Sequence, residues 1–259
     1  MPQGFSVRYI ILFSLAICGV CAVFVSSLAV SLAEAQDANK LIDRRKNVLM
    51  AAGEVESGQK LPPEEINRLF ADFKAVVIDL STGEEVDIDP DTFDQRKERN
   101  DPERSSAAPT NNAGVKRMPH HALVYKKINT EEQLEMLILP VEGYGLWSTL
   151  YGFLALDEDL KTIQGLAYYE HTETPGLGGE VENPRWRALW PGRQAYDENW
   201  NPAIEVIKGP AGPVEDDPYR VDGLSGATIT ARGVSGMMEL WLGENGFKPY
   251  IDNLRKGAA

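Results

Sequence analysis

The first long stretch of the chain is uncharged and predominantly apolar. Residues 9–33 include no charged side chain over twenty-five positions, and a helix of that length spans roughly 37 Å, enough to cross a bilayer with some tilt. A cleaved leader is the alternative, because Ala33-Glu34-Ala35 resembles a small-residue cleavage site. The stretch is longer than the roughly 7 to 15 residues of a leader core, and Arg8 is the only charge ahead of it, so a retained anchor is expected at 9–33 behind an N-terminal tail, 1–8. Beyond it Leu41, Val48, Leu49 and Ala52 form a helical stripe, Pro62-Pro63 interrupt it, and 64–73 resume it. Residues 75–80 read as a strand closed by the Ser81-Thr82-Gly83 turn, with further strands at 122–125, 135–139, 150–156 and 162–170. An apolar segment at 203–208 ends in Gly209-Pro210, and 184–192 reads as a helix or packed loop. After Thr228, apolar Val234, Met237, Met238, Trp241 and Leu242 keep helical spacing. The pattern predicts an α+β fold: one transmembrane helix, then a twisted, largely antiparallel sheet flanked by helices.

Residues 85–117 interrupt this pattern, being charged and poor in large apolar side chains, and read as a surface excursion with a flexible part. The organisation expected is a helical and strand subdomain at 34–120 and a second domain at 121–259. The formal charge of −13 on 259 residues argues against nucleic acid, whose phosphates require a basic face. Cys18 and Cys21 lie inside the apolar stretch, where they read as small apolar residues rather than half of a metal site or a redox pair. His120, His121 and His171 lack metal-ligand spacing, so no metal is expected, and no Gly-x-Gly-x-x-Gly opens a helix after a strand to hold a nicotinamide.

Two segments carry candidate chemistry. In Asp222-Gly223-Leu224-Ser225-Gly226-Ala227-Thr228, small residues leave Thr228 open to a phosphate or a modifying enzyme. The helical pattern that follows puts Thr228 at a helix N-terminus, which favours bound phosphate; the same pattern also suits Ser225 or Thr228 as an ordinary N-cap. Upstream, His171-Thr172-Glu173-Thr174-Pro175-Gly176-Leu177-Gly178-Gly179-Glu180 forms an irregular loop, either a tight turn or a place where backbone amides meet a planar ligand.

The first segment resembles the flavinylation signal of the FMN-binding domain family. That resemblance implies FMN joined through its phosphate to Thr228 by a flavin transferase that moves the FMN moiety from FAD, with Asp222, Ser225, Gly226 and Ala227 as the recognition frame. The second is similar to the family loop that lies against the isoalloxazine ring, which implies roles for Glu173, Thr174, Leu177 and Gly178 and makes 121–259 an FMN-binding domain. A third block, Ile138-Leu139-Pro140-Val141-Glu142-Gly143-Tyr144-Gly145-Leu146-Trp147-Ser148-Thr149-Leu150-Tyr151-Gly152-Phe153, resembles the C subunit of the sodium-translocating NADH:quinone reductase. There Trp147 borders the flavin; as a plain sequence feature, Trp147 and Tyr151 also suit a core. Backbone amides near Leu177 and Gly178 are candidates for stabilising charge on a reduced ring, and Lys208 is a candidate cation beside it.

With no nicotinamide site, acid–base pair or substrate pocket legible, the expected function is an electron relay and no residue is assigned as catalytic. The resemblance implies partners among the other membrane subunits of a sodium-pumping quinone reductase, with membrane lipid around 9–33. Related possibilities are the G subunit of a ferredoxin:NAD electron-transport complex and a flavin-free membrane-tethered interaction module. Arg8 precedes the anchor while Lys40, Arg44, Arg45 and Lys46 follow it, so a charge count places the large domain in the cytoplasm. The family places it outside. Glu34, Asp37 and Asp43 interleave with those bases, and long domains translocate regardless of flanking charge, so the expectation is a single pass through a bacterial inner membrane with the domain on the periplasmic side.

Overall fold

The computed structural model describes residues 6–56 and 58–257. Residues 1–5 of the expected tail, the last two of the expected 121–259 domain, and the Glu34 and Asp37 side chains used in the orientation argument lie outside the described residues. The chain divides into two compact units at Arg44/Arg45. Helix α1, Val7–Ala51, supplies nearly all of the first. Its Val7–Ala33 portion contains an 18-residue stretch with a mean hydropathy of 2.5 and has exposed apolar side chains throughout, long and apolar enough to cross a bilayer, which fits a membrane-anchored chain.

The second unit, Arg45–Ala259, takes in the last residues of α1, which ends at Ala51. Gly53, at φ +77°, takes the left-handed conformation that only glycine adopts cheaply, letting the Glu54 amide bond back to Leu49 O and the Gly53 amide to Met50 O. After α2, Pro63–Leu69, and a short turn, strand β1 (Phe73–Asp79) opens a six-stranded sheet. With β2 (Glu85–Val86), β5 (His121–Ile128), β6 (Leu134–Tyr144), β7 (Thr149–Asp157) and β8 (Ile163–Glu170), the order is β2-β1-β5-β6-β7-β8 and every pairing is antiparallel. One face carries Val76, Val124, Leu137, Leu139, Leu154 and Leu166 and packs against α5, Thr228–Leu242, whose Val234, Met237, Met238, Trp241 and Leu242 are fully buried as their spacing predicts. The opposite face carries Tyr125, Phe153 and Tyr169, with Phe153 stacked on Tyr169 at 5.2 Å.

Two features depart from the sequence reading. The sheet continues across the expected 120/121 division, since β1 and β5 pair over seven positions from Phe73↔Lys127 to Asp79↔His121. The 85–117 excursion is built rather than loose: besides β2 it holds α3 (Gln95–Asn100), β3 (Ser105–Ala107) and, extending to Pro119, β4 (Arg117–Pro119). Its charges serve as internal partners. Asp94 caps α3 by accepting from the Arg96 and Lys97 amides, buried Glu98 accepts from the His121 amide at 2.7 Å, and the Arg99 guanidinium reaches buried Glu142 at 2.5 Å. The Arg96 guanidinium lies 3.5 Å above the Tyr151 ring. A helix of four residues, α4 (Pro184–Arg187), a parallel pair, β9 (Glu205–Val206) with β10 (Arg220–Val221), and the closing helix α6 (Lys248–Gly257) complete the unit.

Candidate functional site

The 222–228 segment is held from both sides. Strand β10 feeds it, and the Asp222 carboxylate accepts from the Ala211 amide at 2.8 Å while its backbone carbonyl accepts from the buried Trp186 indole at 2.8 Å. Asp222 is therefore spent on shape. The Gly223 amide donates to Gly209 O at 2.8 Å, and a Cβ on Gly223 would lie 2.3 Å from Ile207 O and 3.3 Å from Lys208 Cα. That close approach brings exposed Lys208 alongside the segment. Trp186 and Trp190, the aromatic centre of 184–192, pack edge to face beneath it in the core.

Gly226, at φ +73°, turns the chain, Ala227 is buried, and Thr228 begins α5 with its side chain exposed, as are Ser225 and Gly226. No side chain caps the helix, so neither Ser225 nor Thr228 acts as an ordinary N-cap. The first amides of α5 have no intrahelical acceptor, and with the helix dipole they present a positive end to an anion. On the other side of Gly226, a Cβ would lie 2.9 Å from Leu177 Cδ2, which sets the 173–178 loop against the 225–228 turn.

That loop follows β8 and is closed on itself: Thr174 O accepts from the amides of Leu177 and Gly179, around Gly176 at φ +78°. Thr174 and Leu177 are exposed and Gly178 is buried. Glu173 is only 5% exposed, with its carboxylate turned inward. It accepts from the amides of Leu146, Trp147 and Ser148 and from the Thr230 hydroxyl. Burial works to raise its carboxyl, but the Thr230 hydroxyl and the three amides outweigh burial and hold it below the ordinary carboxylate value. Glu173 thus ties the β6–β7 turn to the first turn of α5. Gly233 deepens the junction, since a Cβ there would meet Tyr144 O at 2.2 Å.

The surface so formed is unusual for this unit. Among the described residues of Arg45–Ala259, the exposed large apolar side chains are Tyr144, Leu146, Trp147, Leu177 and Ile229, and all five border this junction. Trp147 is 64% exposed, so it is no core aromatic, whereas half-buried Tyr151 lies under Arg96. The structure brings together Trp147, Glu173, Thr174, Leu177, Gly178, the 222–228 segment and, through Gly223, Lys208. Sequence reasoning missed Thr230, 1% exposed, whose only signal is a hydroxyl two places after Thr228. It also missed Tyr144, Leu146 and Ile229, which become visible as a patch only when three distant segments meet.

The residues suit FMN. A phosphate would find uncapped amides and an exposed hydroxyl at Thr228, and the apolar part of a planar ring would find the exposed Leu177, Trp147 and Tyr144. Comparisons with known proteins agree. The FMN-binding domain family model matches residues 145–243, which span both motifs. The C subunit of the Na(+)-translocating NADH-quinone reductase of Pseudomonas aeruginosa is 44% identical over 254 residues, 96% of each chain. That of Yersinia pestis is 42% identical over 93% of this chain and 91% of its own. The crystal structure of Shewanella oneidensis NqrC superposes with a TM-score of 0.76 at 37% identity, covering 86% of this chain and 99% of that one. The crystal structure of the corresponding protein from Parabacteroides distasonis gives 0.64 at 25% identity, covering 86% and 96%. The chain therefore belongs to the NqrC family, the C subunits of the Na(+)-translocating NADH-quinone reductase, and is an FMN-binding flavoprotein subunit of that enzyme complex.

Proposed function

We propose that this protein carries FMN joined through its phosphate to the Thr228 hydroxyl and relays electrons between other subunits of the complex. The carrying observation is the combination at Thr228: an exposed hydroxyl on the first residue of an uncapped helix, with Gly226 and Leu177 beside it. In maturation by a flavin transferase, the Thr228 oxygen forms a bond to the flavin-side phosphorus of FAD, the pyrophosphate bond breaks, AMP leaves, and the hydroxyl proton passes to solvent. Competing hydroxyls are poorly suited: Thr230 is buried and donates to Glu173, and Ser225 precedes the helix.

Bound FMN would supply reversible electron transfer at its ring. The protein holds and orients it. Asp222 and Gly223 fix the approach of the attachment loop, the first amides of α5 receive the phosphate, and Leu177, Trp147 and Tyr144 shield one edge of the ring from water. Thr174 and Gly178 shape the loop that carries Leu177, and Lys208 offers a cation across from Gly223.

Peptide mass analysis of the chain isolated with its native complex is expected to place the FMN mass on Thr228, and Thr228→Ala is expected to abolish it together with electron flow to quinone. A flavin on Ser225 or Thr230, or a native chain with none, would overturn the assignment. The reading also sets the large domain on the periplasmic side, with 9–33 in lipid; Arg45, one of the bases that oppose it by charge count, is engaged by Asn67 and the Phe70 ring. Protease added to intact spheroplasts is expected to digest the domain, and protection would place it in the cytoplasm.

A further inference from the structure

Distant segments meet at one carboxylate. Glu173 Oε1 accepts from the amides of Trp147 at 2.8 Å and Ser148 at 3.2 Å, and Oε2 from the amide of Leu146 at 3.1 Å and the Thr230 hydroxyl at 2.7 Å. The surroundings are cut to fit it. A Cβ on Gly145 would lie 2.7 Å from Glu173 Cδ, and one on Gly178 would lie 2.5 Å from Oε2 and 2.7 Å from Thr230 Oγ1. Buried and already met by four donors, the carboxylate has little left to offer a ligand directly. What it grips is exposed on both sides: Leu146 and Trp147 on the β6–β7 turn, and the first turn of α5, where Thr228 stands two residues before Thr230.

We propose that the Glu173 carboxylate is the positioning residue of the flavin site, setting the Trp147 indole at a fixed distance from the Thr228 attachment point by holding the 146–148 amides and the Thr230 hydroxyl together. The inference rests on the reading of Thr228 as the FMN carrier. The same grip removes the Thr230 hydroxyl from competition as an acceptor. A carboxylate is required rather than an amide, because four donors converge there, while a carboxamide offers one acceptor oxygen and brings two hydrogens of its own. Glu173→Gln therefore turns an N–H toward another donor and loosens the turn.

The test uses the full-length chain coexpressed with a flavin transferase and purified in detergent. Glu173→Gln is expected to keep covalent FMN on Thr228, to exchange the amides of 146–148 at least about tenfold faster with deuterium, and to raise flavin fluorescence severalfold as Trp147 stops quenching it. In a Trp147→Phe background the same substitution is expected to leave flavin fluorescence unchanged, because the carboxylate acts through that turn. Thr230→Val, which removes one donor without changing shape, is expected to give an intermediate effect and serves if Glu173→Gln does not fold; Thr230→Ser is expected to match the wild type. A folded, flavinylated Glu173→Gln or Thr230→Val chain with unchanged exchange and fluorescence overturns the proposal and leaves the Thr228 reading standing. A folded Glu173→Gln chain that is no longer flavinylated makes the residue part of acceptor recognition and also overturns it. A wild-type chain without covalent flavin overturns both.

Discussion

Arg99→Met is expected to destabilise the flavin-binding unit chiefly by stranding Glu142. That carboxylate sits on β6, only two residues before Tyr144, and is 5% exposed. Arg99 Nη1 lies 2.5 Å from its Oε1, and Nη2 donates to the Tyr151 hydroxyl at 3.3 Å. Removing one partner of a buried pair costs about 3–5 kcal/mol, since the desolvated charge left behind has lost its compensation. For a unit of this size each kcal/mol moves Tm by about 2–4 °C, so the midpoint is expected to fall by roughly 6–20 °C. The pH dependence identifies the cause. Burial is the largest influence on Glu142 and raises its carboxyl above the ordinary value, with Arg99 and then Arg96 pulling it down. An acid that holds its proton more tightly folded than unfolded contributes stability below its unfolded value and loses it as pH rises through its folded value. Without Arg99 the raise grows, so the deficit is expected to be larger at pH 8 than at pH 5, measured by thermal circular dichroism of the full chain in detergent. Arg99→Met/Glu142→Leu is expected to recover more than half of the loss. A deficit equal at both pH values, or below about 1 kcal/mol, would refute the stranded-charge argument.

Leu177→Asp is expected to keep covalent FMN while making the flavin midpoint potential more negative, since about 1.4 kcal/mol of repulsion changes the reduction equilibrium tenfold; an unchanged potential in a flavinylated chain would detach the 173–178 loop from the flavin. Gly226→Ala forces a side chain into the left-handed region at φ +73° and puts a Cβ 2.9 Å from Leu177 Cδ2. It is expected to cost about 1–2 kcal/mol in thermal unfolding and to slow flavinylation, and native-like kinetics would argue against a tight turn there. Gly233→Ala drives a Cβ to 2.2 Å from Tyr144 O, a backbone atom that cannot rotate away. A loss of about 1–3 kcal/mol is expected, and full stability would mean that α5 and β6 pack less closely than described.

Much of the fold was legible because apolar periodicity reports burial wherever one face of an element is dry. Val234, Met237, Met238, Trp241 and Leu242 kept a helical spacing and are all fully buried, and each of the four strands read between 122 and 170 exists. The apolar run at 135–139 covers only part of β6, which continues through Pro140 and Gly143, residues that weaken a strand signal but are paired here with Phe153 and Leu150, to Tyr144 opposite Thr149. The 85–117 region was opaque for the opposite reason. Its elements are stabilised by polar partners at long range, Glu98 to His121 and Arg99 to Glu142, and a charge bonded to a residue decades away looks in sequence like a solvated one. The candidate site divides along the same line. Thr228, Leu177 and Trp147 were visible as motif residues, and their exposure suits chemistry done at the surface. Glu173 was visible only as a member of its motif, not as the inward-facing acceptor of Leu146, Trp147, Ser148 and Thr230, because that role depends on three segments converging within a few ångströms. A motif names the residues that meet a ligand; the residues that hold those in place show themselves only through donors and acceptors that the fold brings together.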